Sequence, residues 1–570
     1  MDTNDQGIKI DHRRLDQFRE GQGPIQQHVI DEFAEGRLSR RDFLRHGTRL
    51  GISLPLLGAI LKTEARPSRP GSLVLPRGKP GATITAGIIA PTSTINPITI
   101  NDVGGLELLG QVGEFLVFSD QNHFYHPWLS TSWRSNADAS VWTFKIRQGV
   151  KFNDGTPMTV DDVVYSFKSQ CNPKGAANAL SVFGGTLLPD GVIKVDNTTV
   201  AFHLEVPNSG FVDAVTEDNY NMIIVPNGYD YADYEKQFVG TGRFKMLNYT
   251  PNSGATFVRN PHYWGTPALP AKTVFTFYQA ETPMAAALEA GAIDCIAQFS
   301  VAGSPQLLSG GYNIIRLKAS THRELSMRND IAPFTNKYVR QAMAYSIDRP
   351  AIVEALFKGN AEVGNDSPFA PAFPSTVGPP AVPQRTRNLK LARDLLAKAG
   401  VARGFSTPLL TEQILELPQY GEVMKQFAAQ IGVDISLTVE TSAKYYGQAV
   451  FGNSDWLDGE MSLVPYAARG VPNVFLKAPL QSINAKTGQG SWNAARFNNP
   501  TYDRLSNEFI AAVDLSVQRR IAKQIELLLL DETPIIYSYF LDYLSATQKN
   551  VTGVYPTSST ELFLWDAAKS

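Results

Sequence analysis

Apolar and polar residues alternate with a period of two in several stretches, which is the pattern of half-buried β-strands. Residues 142–146 show it first, and Val150 and Phe152 predict a second short strand after a turn. A further strand is predicted over residues 200–206, with His203 on its polar, exposed face. The chain therefore contains predicted sheet in its first third.

Other stretches carry apolar residues at helical spacing. Thr159 and Asp162 have the spacing of an N-terminal capping box, which predicts that a helix begins there. Four further predicted segments are two consecutive helices at 339–347 and 350–357, a helix at 391–399 stopped by Gly400, a long helix between Asp514 and Pro534, and a buried strand at 535–537. No repeat of fixed period accompanies these elements, so the pattern predicts a mixed α/β chain and not a solenoid or propeller.

Length and composition narrow the class of protein. The 570 residues exceed the size of one hydrophobic core, about 250–300 residues, so two or more domains are expected. With 43% hydrophobic and 19% charged residues the chain should fold, and a net charge of −2 argues against nucleic acid as a partner. Cys171 and Cys295 stand far apart, which excludes a clustered-thiol zinc site. Free buried thiols are the favoured prediction, and one disulfide is the alternative.

An arginine pair, Arg40 and Arg41, precedes a weakly apolar run at residues 51–61. The run is too short to span a membrane, which needs about 20 residues. It resembles a cleavable twin-arginine export signal, so we assign residues 1–65 to a signal region, with cleavage near residues 63–65, and 66–81 to a linker. The twin-arginine translocase is then a partner during export. Because no cysteine follows the apolar run, the mature protein is expected free in the periplasm. A cytoplasmic amphipathic helix is the alternative, and residues 1–38 receive no role.

Enzyme signatures are missing from the sequence. We find no H-E-x-x-H zinc site, no G-x-S-x-G nucleophile elbow and no G-x-x-x-x-G-K-[ST] phosphate loop. The eight histidines form no closely spaced metal-binding pattern. We therefore expect a binding protein without catalytic residues, metal or cofactor, and keep a secreted hydrolase as the alternative from another class.

Several segments, in this order, resemble the extracellular solute-binding proteins of family 5, the peptide, nickel and opine type that serves ABC importers. They are PWLSTSW at 127–133, WTFKIRQGVKFNDGTP at 142–157, DDV at 161–163, GTGRFK at 240–245, RNPHYW at 259–264, AGAID at 290–294, VRQA at 339–342, IDR at 347–349 and NNPTYD at 498–503. The resemblance covers nearly all of residues 82–565.

The resemblance implies a two-lobed α/β periplasmic binding-protein fold of type II, large, with an inserted extra domain. The implied divisions are lobe I at 82–119, 240–320 and 533–570, an inserted subdomain of lobe I at 120–239, and lobe II at 321–532. A monomer would close its hinge around a small-molecule ligand and deliver it to the membrane permease of an ABC transporter.

The segment expected to bind the solute departs from the family pattern. In peptide-binding members, an acidic residue of a Trp-x-x-Asp-like segment holds the amino terminus of the peptide. The corresponding residues 463–472 contain no acid and contain Arg469, whose guanidinium suits a carboxylate, sulfonate or phosphate. We therefore expect an opine-like conjugate or modified peptide and not an ordinary di- or oligopeptide. A nickel complex bound through His123 and His126 is a further alternative.

Four more residues are candidate ligand contacts on the same resemblance. Tyr466 is placed to stack on a ligand, and Asn96 lies where the family's first strand enters the cleft. Trp456 is expected either in the cleft or in a surface loop, and Asp366 follows a turn in lobe II. The motif residues Tyr263 and Trp264 are expected to pack and not to bind.

Overall fold

A computed structural model describes residues 21–61, 81–484 and 489–570, together with Asp2–Thr3, Lys9–Ile10, Leu15 and residues 18 and 19. The expected cleavage site at residues 63–65 lies outside the described residues, as does the expected linker before residue 81.

One mixed sheet runs through most of the molecule, and the described part of it has 12 strands. In spatial order ten of them are Phe244–Thr250, Gly254–Arg259, Lys272–Tyr278, Thr83–Ile89, Cys295–Ile296, Tyr539–Thr547, Asn313–Met327, Met461–Tyr466, Phe405–Glu412 and Val433–Glu440. Ala361–Val363 and Ile535–Ile536 pair alongside. Asn313–Met327 crosses the expected border between the lobes and shifts its register between Lys318 and His322.

The inserted subdomain carries its own antiparallel sheet. Its spatial order is Ser130–Ser135, Val141–Ile146, Thr199–His203 and Val192–Asp196. Short antiparallel pairs join Val117–Ser119 to Tyr125–Pro127, Val551–Thr552 to Ala568–Lys569, Tyr555–Pro556 to Leu562–Phe563, and Asp2–Thr3 to Lys9–Ile10.

The α-helices accompany the sheets, and several of them begin at a residue whose side chain caps the first turn. Those of the described residues are Pro24–Ala34, Arg40–Arg49, Leu54–Leu61, Val103–Val112, Val160–Gln170, Leu180–Phe183, Tyr234–Gln237, Glu281–Glu289, Lys337–Ser346, Arg349–Phe357, Leu389–Lys398, Leu417–Ala429, Ser442–Tyr446, Asp455–Asp458, Asn473–Lys477, Pro500–Ala511 and Leu515–Glu532. Thr159 and Asp162 form the predicted capping box, and Asp348 and Asp514 cap their helices as expected. None of the described helices has the length and apolar character needed to cross a membrane.

Two strand predictions are wrong in part. Residues 150–152 form no strand, because Lys151 makes only an isolated bridge to Pro157 within a tight turn. The strand predicted over 200–206 ends at His203, which is exposed as predicted. Both errors arise where a turn interrupts the alternation and leaves apolar residues without a strand partner.

The hydrophobic core is divided, as the length predicts. One cluster joins the first lobe and the insertion, with Ile84, Trp142 and Phe144 completely buried. A separate cluster fills the second lobe around Met343 and Leu463. Cys171 and Cys295 are both buried and free, which confirms the predicted thiols.

Residues 21–61 pack against the body of the protein. Phe43 of the helix Arg40–Arg49 stacks on Phe33 with a centroid separation of 4.2 Å, and both belong to the first-lobe cluster. Leu57, in the apolar run of the expected signal, is also completely buried there. In the intact chain this segment is therefore part of the folded structure.

The family motifs converge on one buried carboxylate, Glu114. Its oxygen Oε1 accepts hydrogen bonds from Trp128 Nε1 at 2.7 Å and from the Tyr263 hydroxyl at 3.0 Å. Oε2 accepts from the Thr241 hydroxyl at 2.9 Å and from Trp264 Nε1 at 3.0 Å. These donors come from three of the segments that carry the resemblance. The motif residues therefore hold the first lobe to its insertion, as expected for packing residues.

Replacement of the Glu114 carboxylate should destabilise the protein without changing its surface. Glu114→Gln places an amide with two donors among four donors, so at least one buried hydrogen bond is lost. We expect a loss of about 1–3 kcal/mol in the free energy of unfolding, measured by urea titration of the full chain. The matched control is Glu289→Gln at an exposed position, which should leave the urea midpoint unchanged. An equal midpoint for both variants would contradict the role of Glu114.

Candidate functional site

The candidate site lies between the insertion and the second lobe. The insertion supplies two acids, Asp213 and Asp218, which we call the acidic wall. Two short 3-10 turns, Phe211–Val215 and Glu217–Asn219, carry Asp213 and Asp218. The hydroxyl of Thr216 accepts a hydrogen bond from the backbone amide of Asp218 at 3.2 Å, which starts the second turn. Successive turns thus present both carboxyl groups toward the second lobe.

The opposite wall is the segment after the strand Met461–Tyr466. The hydroxyl of Ser320 accepts from the backbone amide of Arg469 at 2.8 Å and donates to its carbonyl at 2.8 Å. These two bonds fix the backbone of Arg469. Its guanidinium lies 5.1 Å from the centre of the Tyr220 ring, and Nη2 donates to the Tyr220 hydroxyl at 3.4 Å. Arg469 therefore faces the insertion, as a ligand-binding role requires.

Gly470 allows the two walls to approach each other. A Cβ atom at this position would lie 2.4 Å from Asp213 Oδ1 and 2.5 Å from Asp218 Oδ2. Both distances are far below van der Waals contact, so any side chain would force the walls apart. Glycine is therefore required here for the close approach.

Direct contacts join the insertion and the second lobe. Asn473 Nδ2 donates to Asn208 Oδ1 at 3.0 Å, and the backbone amide of Ser209 donates to the Ile510 carbonyl at 3.1 Å. A small cavity of about 10 Å³, lined by Gly210, Gly470 and Asn473 among others, remains beside these contacts. The structure therefore corresponds to a closed arrangement of the two lobes.

Buried polar atoms without hydrogen-bond partners point to a polar ligand. Among the described residues, Asp213 Oδ2, Asp218 Oδ2 and Arg469 Nε are buried and accept or donate no hydrogen bond. Native proteins satisfy nearly all buried polar groups, because an unsatisfied one costs about 1–3 kcal/mol. Single atoms of acidic and basic groups that lack hydrogen bonds on the two sides of one crevice suit a solute with charges of both signs.

The acidic wall is strongly perturbed. Burial and, to a smaller extent, the neighbouring Asp213 carboxylate together raise the pKa of Asp218 to about 7. Burial also raises the pKa of Asp213, although the guanidinium of Arg49 acts in the opposite direction. Perturbed carboxyl groups in a crevice are typical of functional sites, since folding alone does not favour them.

Tyr466 and Trp456 belong to one buried aromatic cluster behind Arg469. Tyr466 stacks on His322 at 5.5 Å, and Trp492 contacts both Tyr466 and Trp456. The Tyr466 hydroxyl and Trp456 Nε1 are buried without hydrogen-bond partners among the described residues. The surface-loop interpretation of Trp456 is wrong, because this residue is only 6% exposed and lies in the helix Asp455–Asp458.

Asp366 is not part of this site. Its carboxylate is completely buried and forms ion pairs with Arg349 and Arg385, each at 2.6 Å. The backbone amide of Tyr537 donates to it as well, at 3.3 Å. A carboxylate that already has two guanidinium partners has no capacity left for a ligand. The expected ligand role of Asp366 is therefore corrected to a structural one.

Asn96 forms a turn within its own loop. Its carbonyl oxygen Oδ1 accepts from the backbone amide of Ile98 at 2.9 Å, the geometry of an Asx turn. None of the described hydrogen bonds joins Asn96 to Arg469, Tyr466 or the acidic wall. The turn accounts for its Oδ1, and its ligand role stays a prediction.

The two histidines of the nickel alternative do not form a metal centre. His126 Nε2 lies 2.9 Å from Asp120 Oδ2, and His126 belongs to the strand Tyr125–Pro127 instead of a loop. Within the part of the chain that the structure describes, neither His123 nor His126 joins a group of three potential metal ligands. The arrangement thus gives a nickel ion no set of protein ligands.

The sequence pattern did not point to the acidic wall, because the absence of an acid was noted only for residues 463–472 and the insertion offered no motif. Asp213 and Asp218 lie in irregular turns, where periodicity gives no orientation. The available signal was their position: several acids interrupt an otherwise apolar stretch from Phe211 to Val225. The expectation against ordinary peptides relied on a missing acid in the second lobe. It no longer holds, because the insertion supplies two acids.

Comparisons with known proteins agree with this architecture. The family model described as bacterial extracellular solute-binding proteins, family 5 middle, matches residues 125–474. The heme-binding protein A of Haemophilus influenzae is 26% identical over 72% of this chain and 78% of its own length. The periplasmic murein peptide-binding protein MppA of Escherichia coli is 26% identical over 78% of this chain and 86% of its own.

A solved structure shows the same fold. The periplasmic binding protein AgaA of Agrobacterium tumefaciens, in complex with agropinic acid, has a TM-score of 0.72 and 21% identity, covering 86% of this chain and 99% of the other. At this identity the match shows the fold alone. The chain thus has the two-lobed α/β periplasmic binding-protein fold that the resemblance implied.

The structural role of Asp366 gives a testable contrast. Asp366→Ala leaves two buried guanidinium groups without their carboxylate, so we expect a loss of about 3–5 kcal/mol in the free energy of unfolding. Asp394→Ala removes an exposed ion pair with Lys390 and should cost below about 0.5 kcal/mol. Urea unfolding of both variants measures the difference. If Asp366→Ala kept the stability of the parent, the buried ion-pair assignment would be wrong.

Proposed function

Because the chain belongs to the bacterial extracellular solute-binding proteins of family 5, whose members bind small ligands and deliver them to ABC permeases, we propose that it binds a small zwitterionic organic solute in the periplasm. Closure of the two lobes would bury the solute between Arg469 and the acidic wall. The protein would then release the solute unchanged to its importer.

The charges of the crevice carry this proposal. Arg469 supplies an Nε donor without a hydrogen bond on one side. On the other side, Asp213 and Asp218 each supply one oxygen without a hydrogen bond, and that of Asp213 lies 3.5 Å from Arg49 Nε. A solute with a carboxylate and an amino or guanidino group would satisfy both walls. An opine-like conjugate or a modified peptide has this pattern, and AgaA, which shares the fold, was solved with agropinic acid.

The aromatic cluster supports the same class of solute. Tyr466 directly precedes the Arg469 segment, and its buried hydroxyl has no partner among the described residues. Burial raises the pKa of Tyr466 well above its usual value, so the hydroxyl remains a neutral donor. We propose that Tyr466 contributes one hydrogen bond to the solute and that Trp456 supports it from behind.

A di- or oligopeptide is the second candidate. Asp213 and Asp218 favour it, since a carboxylate is the group that a peptide amino terminus needs in a dry crevice. MppA, a murein peptide-binding protein by name, is among the relatives. The two candidates differ in the side chains of the solute and share its charges.

We further propose that the protein reaches the periplasm through the twin-arginine translocase. Arg40 and Arg41 begin the helix Arg40–Arg49 and are exposed, while the opposite face of this helix is buried. The pair is thus accessible on a folded chain, which is the form that this translocase carries. Cleavage would then remove residues 1–65, as the sequence predicts.

Arg469 tests the solute class. In protein purified from the periplasm, we expect Arg469→Ala to weaken binding of an acidic solute by about 10-fold or more, since hydrogen bonds to charged groups contribute about 1.5–3 kcal/mol. Calorimetry would measure affinity for agropinic acid, alanyl-alanine, the murein tripeptide and a nickel–histidine complex. Arg504→Ala, at an exposed helix pair, is the matched control. Equal affinity of both variants for the best ligand, or no binding of any probe, would contradict the proposal.

The arginine pair tests the export route. Replacement of Arg40 and Arg41 by lysine keeps the charge and removes the guanidinium groups, so the protein should accumulate in the cytoplasm. Immunoblots of periplasmic and cytoplasmic fractions measure this. The control replaces Arg37, which is exposed and precedes the pair, by lysine. Unchanged periplasmic levels of the double variant would exclude the twin-arginine route.

A further inference from the structure

A helix of the N-terminal segment lies between the insertion and the second lobe. On the insertion side, the backbone amide of Tyr125 donates to the Thr48 hydroxyl at 3.1 Å, and Trp133 Nε1 donates to the Arg49 carbonyl at 2.9 Å. On the other side, Arg45 Nη1 donates to the Ala372 carbonyl at 3.1 Å. The helix Arg40–Arg49 therefore contacts both the insertion and the second lobe.

The second lobe holds the same helix at two further points. His46 Nε2 lies 2.8 Å from the Val513 carbonyl, and Arg519 Nη2 donates to Asp42 Oδ2 at 2.9 Å. Arg49 also lines the small cavity of about 10 Å³ together with Gly210 and Gly470. The segment thus occupies the region where closure of the lobes would bury a solute.

The side chain of Arg49 fills a specific pocket in the acidic wall. Its Nη2 and Nε donate to the Tyr125 hydroxyl at 3.1 Å and 3.3 Å, and Nε lies 3.5 Å from Asp213 Oδ2. The Tyr125 hydroxyl in turn donates to Asp213 Oδ1 at 2.6 Å. The side chains of Arg49 and Asp213 are each only 7% exposed. This is the environment of a buried organic cation.

The pocket contains carboxylate oxygens to which Arg49 donates no hydrogen bond. Asp218 is 5% exposed, and its Oδ2 has no hydrogen-bond partner among the described residues. Asp213 Oδ2 faces the guanidinium without forming a hydrogen bond to it. A carboxyl pair built only to hold the N-terminal helix would not need the second acid. These unsatisfied oxygens point to a cation that fits the pocket better than Arg49 does.

Removal of the N-terminal segment changes the energetics of the pocket. Residues 1–65 are the part that we propose is cleaved on export, whereas Tyr125, Asp213 and Asp218 lie within the region matched by the family model. Without Arg49, the two buried carboxyl groups lose their nearest cation. A buried charge without a partner is strongly unfavourable, so a solute cation would be stabilised there.

We propose that Tyr125, Asp213 and Asp218 form a subsite for the cationic group, ammonium or guanidinium, of the transported solute, and that Arg49 occupies this subsite until the N-terminal segment is removed. The inference rests on the proposed function and extends it, because it names the group that the acidic wall binds. It also implies that the intact chain binds solute more weakly than the exported protein does.

Chemical rescue in the full chain tests the subsite. Arg49→Ala removes the guanidinium and leaves its pocket, which ethylguanidinium should enter. We expect ethylguanidinium to produce a saturable rise in the melting temperature of Arg49→Ala, with an affinity at least about 10-fold higher than for the parent chain. N-Ethylurea has nearly the same shape without the charge and should have no such effect.

Two further variants complete the design. Adding Asp213→Asn to Arg49→Ala should abolish the rescue, because the pocket then lacks its facing carboxylate. Arg519→Ala removes a guanidinium from a partly exposed ion pair outside the pocket and should show no rescue. If Arg49→Ala does not fold, Arg49→Ser replaces it, since serine is small enough to leave the pocket open and its hydroxyl is polar.

The outcomes separate this proposal from the proposed function. An identical response of the parent and Arg49→Ala to ethylguanidinium would overturn the subsite, as would equal rescue by N-ethylurea. Solute binding to the exported protein that is unaffected by Asp213→Asn would also overturn it, while the transport function would stand. Rescue in the full chain combined with no solute binding to the exported protein would support the subsite and refute the proposed function.

Discussion

The structure depends on the burial of opposite charges between two lobes that touch. Asp213 and Asp218 approach from the insertion, Arg469 approaches from the second lobe, and Gly470 lets the walls come close. Such charges are costly to remove from water unless each finds a partner. Among the described residues, the crevice leaves oxygens and a guanidinium nitrogen without hydrogen bonds, which supports the proposal that a guest of complementary charge binds there.

The scaffold and the site use separate residues. The motifs that identify the family meet at Glu114, which accepts four hydrogen bonds from Trp128, Thr241, Tyr263 and Trp264. None of these residues contacts Arg469 or the acidic wall in the described hydrogen bonds and ring contacts. Residues that mark the family therefore secure the architecture, while the residues that we propose to select the solute lie on turns and a loop.

Sequence reasoning predicted the regular elements well, because capping and periodicity are local properties. The capping box at Thr159 and the helix after Asp514 depend only on neighbouring residues, and both are confirmed. Asp366 could not be assigned in this way, since its partners Arg349 and Arg385 are known only once the second lobe folds. The acids of the insertion were missed for the same reason. Irregular turns orient side chains through tertiary contacts, and no spacing records them.

Solute-driven closure is the central claim, and a distance across the crevice tests it most directly. Asn197 of the insertion and Glu422 of the second lobe are exposed and suit labelled cysteines, because Cys171 and Cys295 are buried. Electron paramagnetic resonance on the exported protein would give this distance without and with bound solute. A shorter and narrower distance distribution at saturation, with the solute recovered unchanged, is the predicted result. An unaltered distribution at stoichiometric binding, or a chemically converted solute, would contradict the account.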